Sequence, residues 1–115
     1  MRWLSEDMRQ KVGKVILVAP YIGTPTDYPM GKEYEKIRDK FFNFKIDTGI
    51  ANKTHGLTIF ESTDDHGHIK RSIDLLVQYF GNSVKRITLE NRGHFTTDEK
   101  WVPFPFPELL EEIVK

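Results

Sequence analysis

The stretch GLTIFESTDDHGHIKRSIDLLVQYFGN, residues 56–82, decides the fold class of this protein. Its first seven residues, GLTIFES, include Leu57, Ile59 and Phe60 and are a candidate for a buried strand. An apolar helical stripe follows, formed by Ile69, Ile73, Leu76, Val77 and Phe80. Gly81 lies just past that stripe, where helices commonly end. A buried strand followed by an amphipathic helix predicts a parallel sheet covered by helices.

The flanking sequence extends this pattern in both directions. KVILVAP at 14–20 is a nearly continuous apolar run, and VKRITLE at 84–90 alternates as a third strand. Helices are predicted over residues 2–11 and 107–115, and residues 31–42 suit either a helix or a hydrophobic plug. We therefore expect an α/β fold over residues 1–115 as one domain, with a three-stranded parallel sheet flanked by helices. Three strands leave at least one apolar sheet edge open.

Composition excludes several classes of function. The 115 residues carry 17 Lys and Arg against 17 Asp and Glu, so no net charge favours nucleic acid or an anionic membrane. The absence of cysteine excludes disulfides, thiolate nucleophiles and Cys-ligated zinc. The polar N-terminus does not resemble a signal peptide, and no segment has the length needed to span a bilayer. We expect a cytoplasmic protein that binds neither nucleic acid nor membrane and uses no cofactor.

Polar residues follow the second and third predicted strands. STDDHGH comes directly after the second strand, and NRGHF comes after the third. Loops at the carboxyl ends of parallel strands converge at one edge of the sheet, so Asp65 and His94 can reach hydrogen-bonding distance if the two strands are neighbours. Such a carboxylate would fix the tautomer of the imidazole and stabilise its protonated form. Gly93 permits the tight loop that this placement needs.

This arrangement resembles the C-terminal part of the α/β-hydrolase superfamily, and in detail the small serine hydrolases similar to retinoblastoma-binding protein nine. The resembling segments are VILVAPY at 15–21, FFNFKID at 41–47, FESTDD at 60–65, GHF at 93–95 and FPELLEEI at 106–113. The resemblance implies that Asp65 is the acid of a catalytic triad and His94 its general base. It also implies hydrolysis of a small ester or amide through an acyl-enzyme. A proline usually follows the aspartate pair in that family, whereas His66, Gly67 and His68 stand here.

One departure from the family bears directly on activity. Such hydrolases carry their nucleophile in a G-x-S-x-G turn between a strand and a helix, and this sequence has no such motif. None of its four serines has a strand-to-helix context: Ser5, Ser62, Ser72 and Ser83. By the resemblance, MRWLSEDMRQK would be the tail of the helix that this turn opens. We therefore expect a truncated or split hydrolase-like chain that keeps the acid and base, lacks the oxyanion-hole amides and is inactive alone.

Three alternatives remain at this stage. The chain could be a non-enzymatic interaction module, in which a second copy or a partner chain covers the open sheet edge. His66 and His68 could chelate a metal ion, with Asp64 or His55 completing the site. WVPFPFPELL at 101–110 could be a polyproline ligand, although its aromatic residues favour a role in fixing the last helix to the core.

Overall fold

The computed structural model describes residues 1–6, 11–23, 31–96 and 106–115, apart from the side chain of Trp3. These described residues form four α-helices and three strands. The helices are α1 (Arg2–Glu6), α2 (Lys32–Phe42), α3 (Gly67–Phe80) and α4 (Pro107–Val114), and the strands are β1 (Val15–Val18), β2 (Leu57–Ser62) and β3 (Val84–Leu89). Two short 3₁₀ helices lie at Thr48–Lys53 and Gly81–Ser83. The predicted order of elements is confirmed, while residues 7–10 of the expected first helix lie outside the described residues.

The three strands form one parallel sheet in the order β1-β2-β3. Phe60 of β2 lies opposite Val18 of β1 and Ile87 of β3, and Ser62 lies opposite Leu89. All six residues of β2 are buried, including the polar Thr58, Glu61 and Ser62, as suits a strand with a neighbour on each side. The sequence-based prediction of a three-stranded parallel α/β sheet flanked by helices is therefore confirmed.

The main core lies on the α3 face of the sheet. Leu57 and Ile59 of β2 point to this face and pack against the apolar stripe of α3, of which Ile73 is 1% exposed. Leu4 of α1 and Ile50 of the first 3₁₀ helix complete the same cluster. Because this burial removes apolar surface from water, the α3 face supplies most of the driving force for folding.

The opposite face of the sheet is covered by α4 through aromatic and polar contacts. The rings of Phe60 and Phe106 meet edge to face at 5.2 Å. The buried Glu112 carboxylate accepts hydrogen bonds from Thr58 Oγ1 at 2.7 Å and from Lys85 Nζ at 2.6 Å. These two bonds hold the pKa of Glu112 below its ordinary value, with the Lys85 ammonium contributing most. Thus a charged residue at the core side of α4 fixes that helix to β2 and β3.

The first 3₁₀ helix is joined to α1 by a group of hydrogen bonds around Asp47. Asp47 caps the 3₁₀ helix by accepting from the Gly49 N–H at 2.8 Å, and Lys53 Nζ binds its other oxygen at 2.7 Å. Ser5 Oγ of α1 accepts from the Asp47 N–H at 3.1 Å. Sequence patterns did not predict this element, because a six-residue 3₁₀ helix shows too little apolar periodicity to be recognised.

Candidate active site

The two loops that follow β2 and β3 meet at the carboxyl edge of the sheet. Asp65 Oδ1 lies 3.0 Å from His94 Nδ1, and Oδ2 lies 3.3 Å from the same nitrogen. The Asp65 side chain is 1% exposed, whereas that of His94 is 34% exposed. The structure thus brings together the two site residues that the sequence predicts, with the carboxylate inside and the imidazole at the surface.

Asp65 is held in place by its own loop. The His66 N–H donates to Asp65 Oδ1 at 2.7 Å, and the Asp65 N–H donates to the Ser62 carbonyl at 3.3 Å. Since α3 begins at Gly67, the carboxylate is fixed directly before the first turn of a long helix. A carboxylate held in this way can orient a neighbouring imidazole without moving.

Asp64 ties the two loops together. Its Oδ1 accepts from Ser62 Oγ at 2.6 Å and from the Gly93 N–H at 2.9 Å. These bonds lower the pKa of the Asp64 carboxyl, the Ser62 hydroxyl being the larger cause. The Arg92 N–H donates to Ser62 Oγ at 2.8 Å. The residue before the acid therefore positions the turn that carries His94.

Two further hydrogen bonds join the loop after β2 to the end of β3 and the loop that follows it. The Thr63 N–H donates to the Leu89 carbonyl at 3.0 Å, and Thr63 Oγ1 accepts from the Asn91 N–H at 3.2 Å. The sequence patterns gave no role in positioning the loops to Ser62 or Thr63, and suggested Asp64 only as a possible metal ligand. The one available signal was the run of short hydrogen-bonding side chains S-T-D-D at the end of a strand, a composition typical of side chains that bind nearby backbone.

The turn that carries His94 has an unusual backbone. Gly93 has φ +55°, as its small size allows, and Phe95 has φ +55° although its side chain disfavours this region. The Phe95 ring stacks on Phe106 at 5.2 Å, which holds the residue in this conformation. Residues kept in such conformations by their surroundings cluster at functional sites.

Aromatic rings extend from His94 along one side of the site. The His66 ring lies 5.7 Å from that of His94 and stacks on the ring of His68 at 5.4 Å. Tyr21 meets His68 edge to face at 5.5 Å and meets Phe42 at 5.3 Å. His94 therefore stands at one end of a wall of rings that links α3, the residues after β1, and α2.

The metal hypothesis for the DDHGH loop finds no support. Across residues 1–6, 11–23, 31–96 and 106–115, no group of three or more His, Cys, Asp or Glu side chains is arranged to hold a metal ion. The Asp64 carboxylate already serves Ser62 and Gly93, and the His66 and His68 rings stack nearly parallel. We do not propose a metal site in this loop.

None of the four serines forms a nucleophile elbow. Ser5 and Ser72 lie inside helices, Ser83 lies in the second 3₁₀ helix, and Ser62 ends β2. Ser62 Oγ donates to Asp64 and Ser72 Oγ donates to the His68 carbonyl at 2.9 Å, so both hydroxyls have structural roles. Of the segment at 101–110, considered as a polyproline ligand, residues 101–105 lie outside the described residues, and Phe106 packs against Phe60 and Phe95 as the favoured core-packing role expects. In the described part of the chain, no helix is long and apolar enough to cross a bilayer.

Comparison with known structures identifies the fold. The chain is similar to the crystal structure of the ydeN gene product from B. subtilis, with a TM-score of 0.64 and 19% sequence identity. This likeness supports an α/β fold, a parallel sheet flanked by helices. The match covers 99% of this chain and 59% of the YdeN chain, so this chain spans about three fifths of that protein's length. No family model matches the sequence, and no curated protein does.

Proposed function

We propose that Asp65 and His94 are the acid and the general base of a serine-hydrolase-type site. The observation that carries the proposal is the 3.0 Å contact between a buried carboxylate and a partly exposed imidazole, at the sheet edge where an α/β fold gathers reactive groups. With Asp65 on Nδ1, a neutral His94 keeps its proton on that nitrogen, which leaves the Nε2 lone pair to accept a proton. Similarity to the small hydrolases related to retinoblastoma-binding protein nine is part of this proposal.

The proposed chemistry is hydrolysis of a small ester or amide. A serine hydroxyl attacks the carbonyl carbon while its proton passes to His94 Nε2, and Asp65 stabilises the imidazolium. The same proton then passes to the leaving alcohol or amine as the acyl bond breaks, and water repeats the sequence to release the acid. Since this sequence contains no G-x-S-x-G motif, the serine of the proposed reaction lies outside these 115 residues, and we propose that these residues alone do not hydrolyse esters.

The tautomer of His94 tests the acid and base pair without needing activity. Long-range ¹H–¹⁵N NMR on the intact chain, at a pH where His94 is neutral, is expected to show protonated Nδ1 and unprotonated Nε2. Asp65→Asn should abolish that preference, because an amide can present either an acceptor or a donor to the ring. Asp74→Asn, on the exposed side of α3, is the matched control. A mixed tautomer in the unaltered chain would overturn the pairing.

A second experiment tests the absence of a nucleophile. The pure chain is incubated with a fluorophosphonate probe and, separately, with 4-nitrophenyl butyrate. We expect no serine adduct by mass spectrometry and no hydrolysis above that of the His94→Ala variant. A fluorophosphonate adduct on one of the serines would show that the chain carries its own nucleophile.

We propose self-association as a second candidate function, supported by the open edge of β1. The Val15 and Ala19 N–H groups donate to Gly56 and Phe60 across the sheet. Since successive residues of a strand point their N–H groups to opposite sides, those of Ile16 and Val18 point away from β2. Among the described residues, β1 pairs with no strand other than β2. An apolar edge with unpaired backbone groups suits strand pairing with a second copy of the chain.

Analytical ultracentrifugation tests this proposal with two proline variants. Val18→Pro removes an outward donor and is expected to convert the dimer to a folded monomer, since proline is tolerated on an edge strand. Leu17→Pro, the matched control, removes a donor to β2 and is expected to unfold the sheet. If the unaltered chain is still monomeric at a concentration on the order of 1 mM, where a dimer with a millimolar dissociation constant would be populated, self-association is ruled out.

A further inference from the structure

A separate pocket lies on the α3 face, away from the Asp65–His94 pair. It has a volume of about 310 Å³ and lies between the end of α2, the chain that follows it, and the second half of α3. Its apolar walls are formed by Ile22, Phe42, Phe44, Ile46 and Leu75. Leu75 lies seven residues beyond His68 on α3, roughly 10 Å along the helix axis. The pocket therefore does not include Asp65 or His94, although Phe42 both lines it and ends the wall of rings that starts at His94.

Three polar side chains line this pocket, one ammonium and two hydroxyl groups. Lys45, Thr48 and Tyr79 line it, and each can donate a hydrogen bond. Within the part of the chain that the structure describes, none of these three side chains has a hydrogen-bond or ion-pair partner. Asp47, the acidic residue nearest in sequence, is bound to Lys53 at 2.7 Å. The pocket thus offers one uncompensated positive charge and two hydroxyl groups beside apolar walls.

We propose that this pocket binds a small amphipathic carboxylate, with its apolar body against Phe44, Ile46 and Leu75 and its carboxylate on Lys45. The volume lies within the range typical of small-molecule sites. A charge-assisted hydrogen bond from Lys45 gives the carboxylate a direction, and the apolar walls bind an aryl or short alkyl group. This proposal does not rest on the proposed hydrolase function, because no residue of the pocket belongs to the Asp65–His94 pair.

The proposal predicts which amide signals respond to a simple probe. The full-length chain, labelled with ¹⁵N, is titrated with 4-phenylbutyrate and, in parallel, with the uncharged 4-phenylbutanamide. We expect the acid to shift the signals of Ile46, Thr48, Leu75 and Tyr79, with a dissociation constant on the order of 1 mM. The amide should bind more weakly. Equal binding of the two compounds, or shifts centred on residues 92–95, would overturn the proposal.

Matched lysine variants identify the charge that selects the ligand. Lys45→Met is expected to weaken 4-phenylbutyrate binding about three- to fivefold, the effect of one partly exposed charge, and to leave amide binding unchanged. Lys36→Met, on the exposed side of α2, removes the same charge outside the pocket and should leave both affinities unchanged. If Lys45→Met binds the acid as tightly as Lys36→Met does, the assignment is wrong.

A pocket-filling variant tests the apolar walls independently. Leu75→Trp should occupy the space and abolish the shifts from both compounds. Its fold is checked first by the dispersion of signals from β2 and β3, and Ile46→Trp replaces it if that dispersion is lost. Retained binding of 4-phenylbutyrate by a folded variant would place the ligand elsewhere and overturn the proposal.

Discussion

Two adjacent aspartates in this protein have different partners. Asp65 faces the His94 imidazole, whereas Asp64 faces the Ser62 hydroxyl and the Gly93 N–H. The two residues are adjacent in the turn after β2, and their side chains point in different directions. One carboxylate contacts the imidazole, and the other contacts the backbone of the next loop. A D-D pair at the end of a strand can thus contain one residue that contacts the imidazole and one that positions the loop carrying it.

Removing the Asp64 carboxylate tests this difference. Asp64→Ala leaves the Gly93 N–H without its acceptor, so we expect its amide hydrogen to exchange faster and the melting temperature to fall. The His94 tautomer should keep its preference for protonated Nδ1, because Asp65 still faces that nitrogen. Thr63→Ala, which removes the neighbouring contact to Asn91, provides the comparison. Unchanged exchange at Gly93 in Asp64→Ala would contradict the role assigned to this carboxylate.

Among the elements, α3 makes the largest apolar contribution to the core. Ile73→Ala removes a buried side chain, and we expect it to lower the free energy of unfolding by about 2–5 kcal/mol. Ile37→Ala removes the same atoms from a side chain of α2 that is 68% exposed, and its effect should stay within about 0.5 kcal/mol. Urea unfolding of both variants measures the difference. Similar midpoints for the two would show that α3 is not packed as described.

The attachment of α4 can be weakened without changing a charge. Thr58→Val keeps the shape of a buried side chain but removes the hydroxyl that donates to Glu112 Oε1. We expect the free energy of unfolding to fall by about 1–3 kcal/mol, because the buried carboxylate loses one of its two side-chain donors. Thr88→Val removes a comparable donor to Glu61 on the other face of the sheet. Hydrogen exchange in α4 should accelerate in Thr58→Val and not in Thr88→Val.

The elements differ in how much of them the sequence could predict. The positions of β2 and α3 could be predicted, because their apolar side chains are removed from water only when the helix packs against the sheet. Glutamates are rarely buried, yet Glu61 and Glu112 both are. Their burial depends on Arg86, Thr88, Thr58 and Lys85 on neighbouring elements. Such pairings form only when the elements pack together, so they cannot be predicted from local sequence patterns.

The candidate site, like the elements, could be predicted from the sequence only in part. The order of elements put Asp65 and His94 at one sheet edge, and the contact follows from β2 and β3 being neighbours. The Ser62–Asp64–Gly93 bridge was not predictable, since it depends on loop conformation. The cytoplasmic localisation and the single-domain organisation stay predictions.

For the whole molecule, stability should depend on pH on the acid side. The pKa values of Asp47, Asp64, Glu61 and Glu112 are all lowered by hydrogen-bond donors. For Glu61, burial raises the pKa, but the hydrogen bonds from Arg86 and Thr88 outweigh it. A lowered pKa in the folded state means that the unfolded chain takes up protons first as the pH falls. The stabilisation is therefore complete well above pH 4.5, the ordinary value for a glutamate, and is lost progressively below it.

Thermal unfolding between pH 2.5 and pH 7 measures this dependence. We expect a plateau at neutral pH and a melting temperature that falls steadily below about pH 4.5. Glu61→Gln should be less stable than the unaltered chain on the plateau and should show a shallower decline in acid. A melting temperature that rises as the pH falls from 5 to 3, roughly the range in which carboxylates titrate, would contradict the lowered pKa values.

The pairing of β2 with β3 has a consequence for how the protein folds. Ser62 stands opposite Leu89, and the loops that carry Asp65 and His94 leave the sheet directly beyond this pair. A slip of one residue would move one loop about 3.3 Å past the other and turn the side chains of β3 over, so the carboxylate and imidazole would no longer meet. The ¹⁵N signals of the His94 ring therefore report on the register of β2 against β3. A refolding experiment that follows these signals would measure how fast the correct register forms.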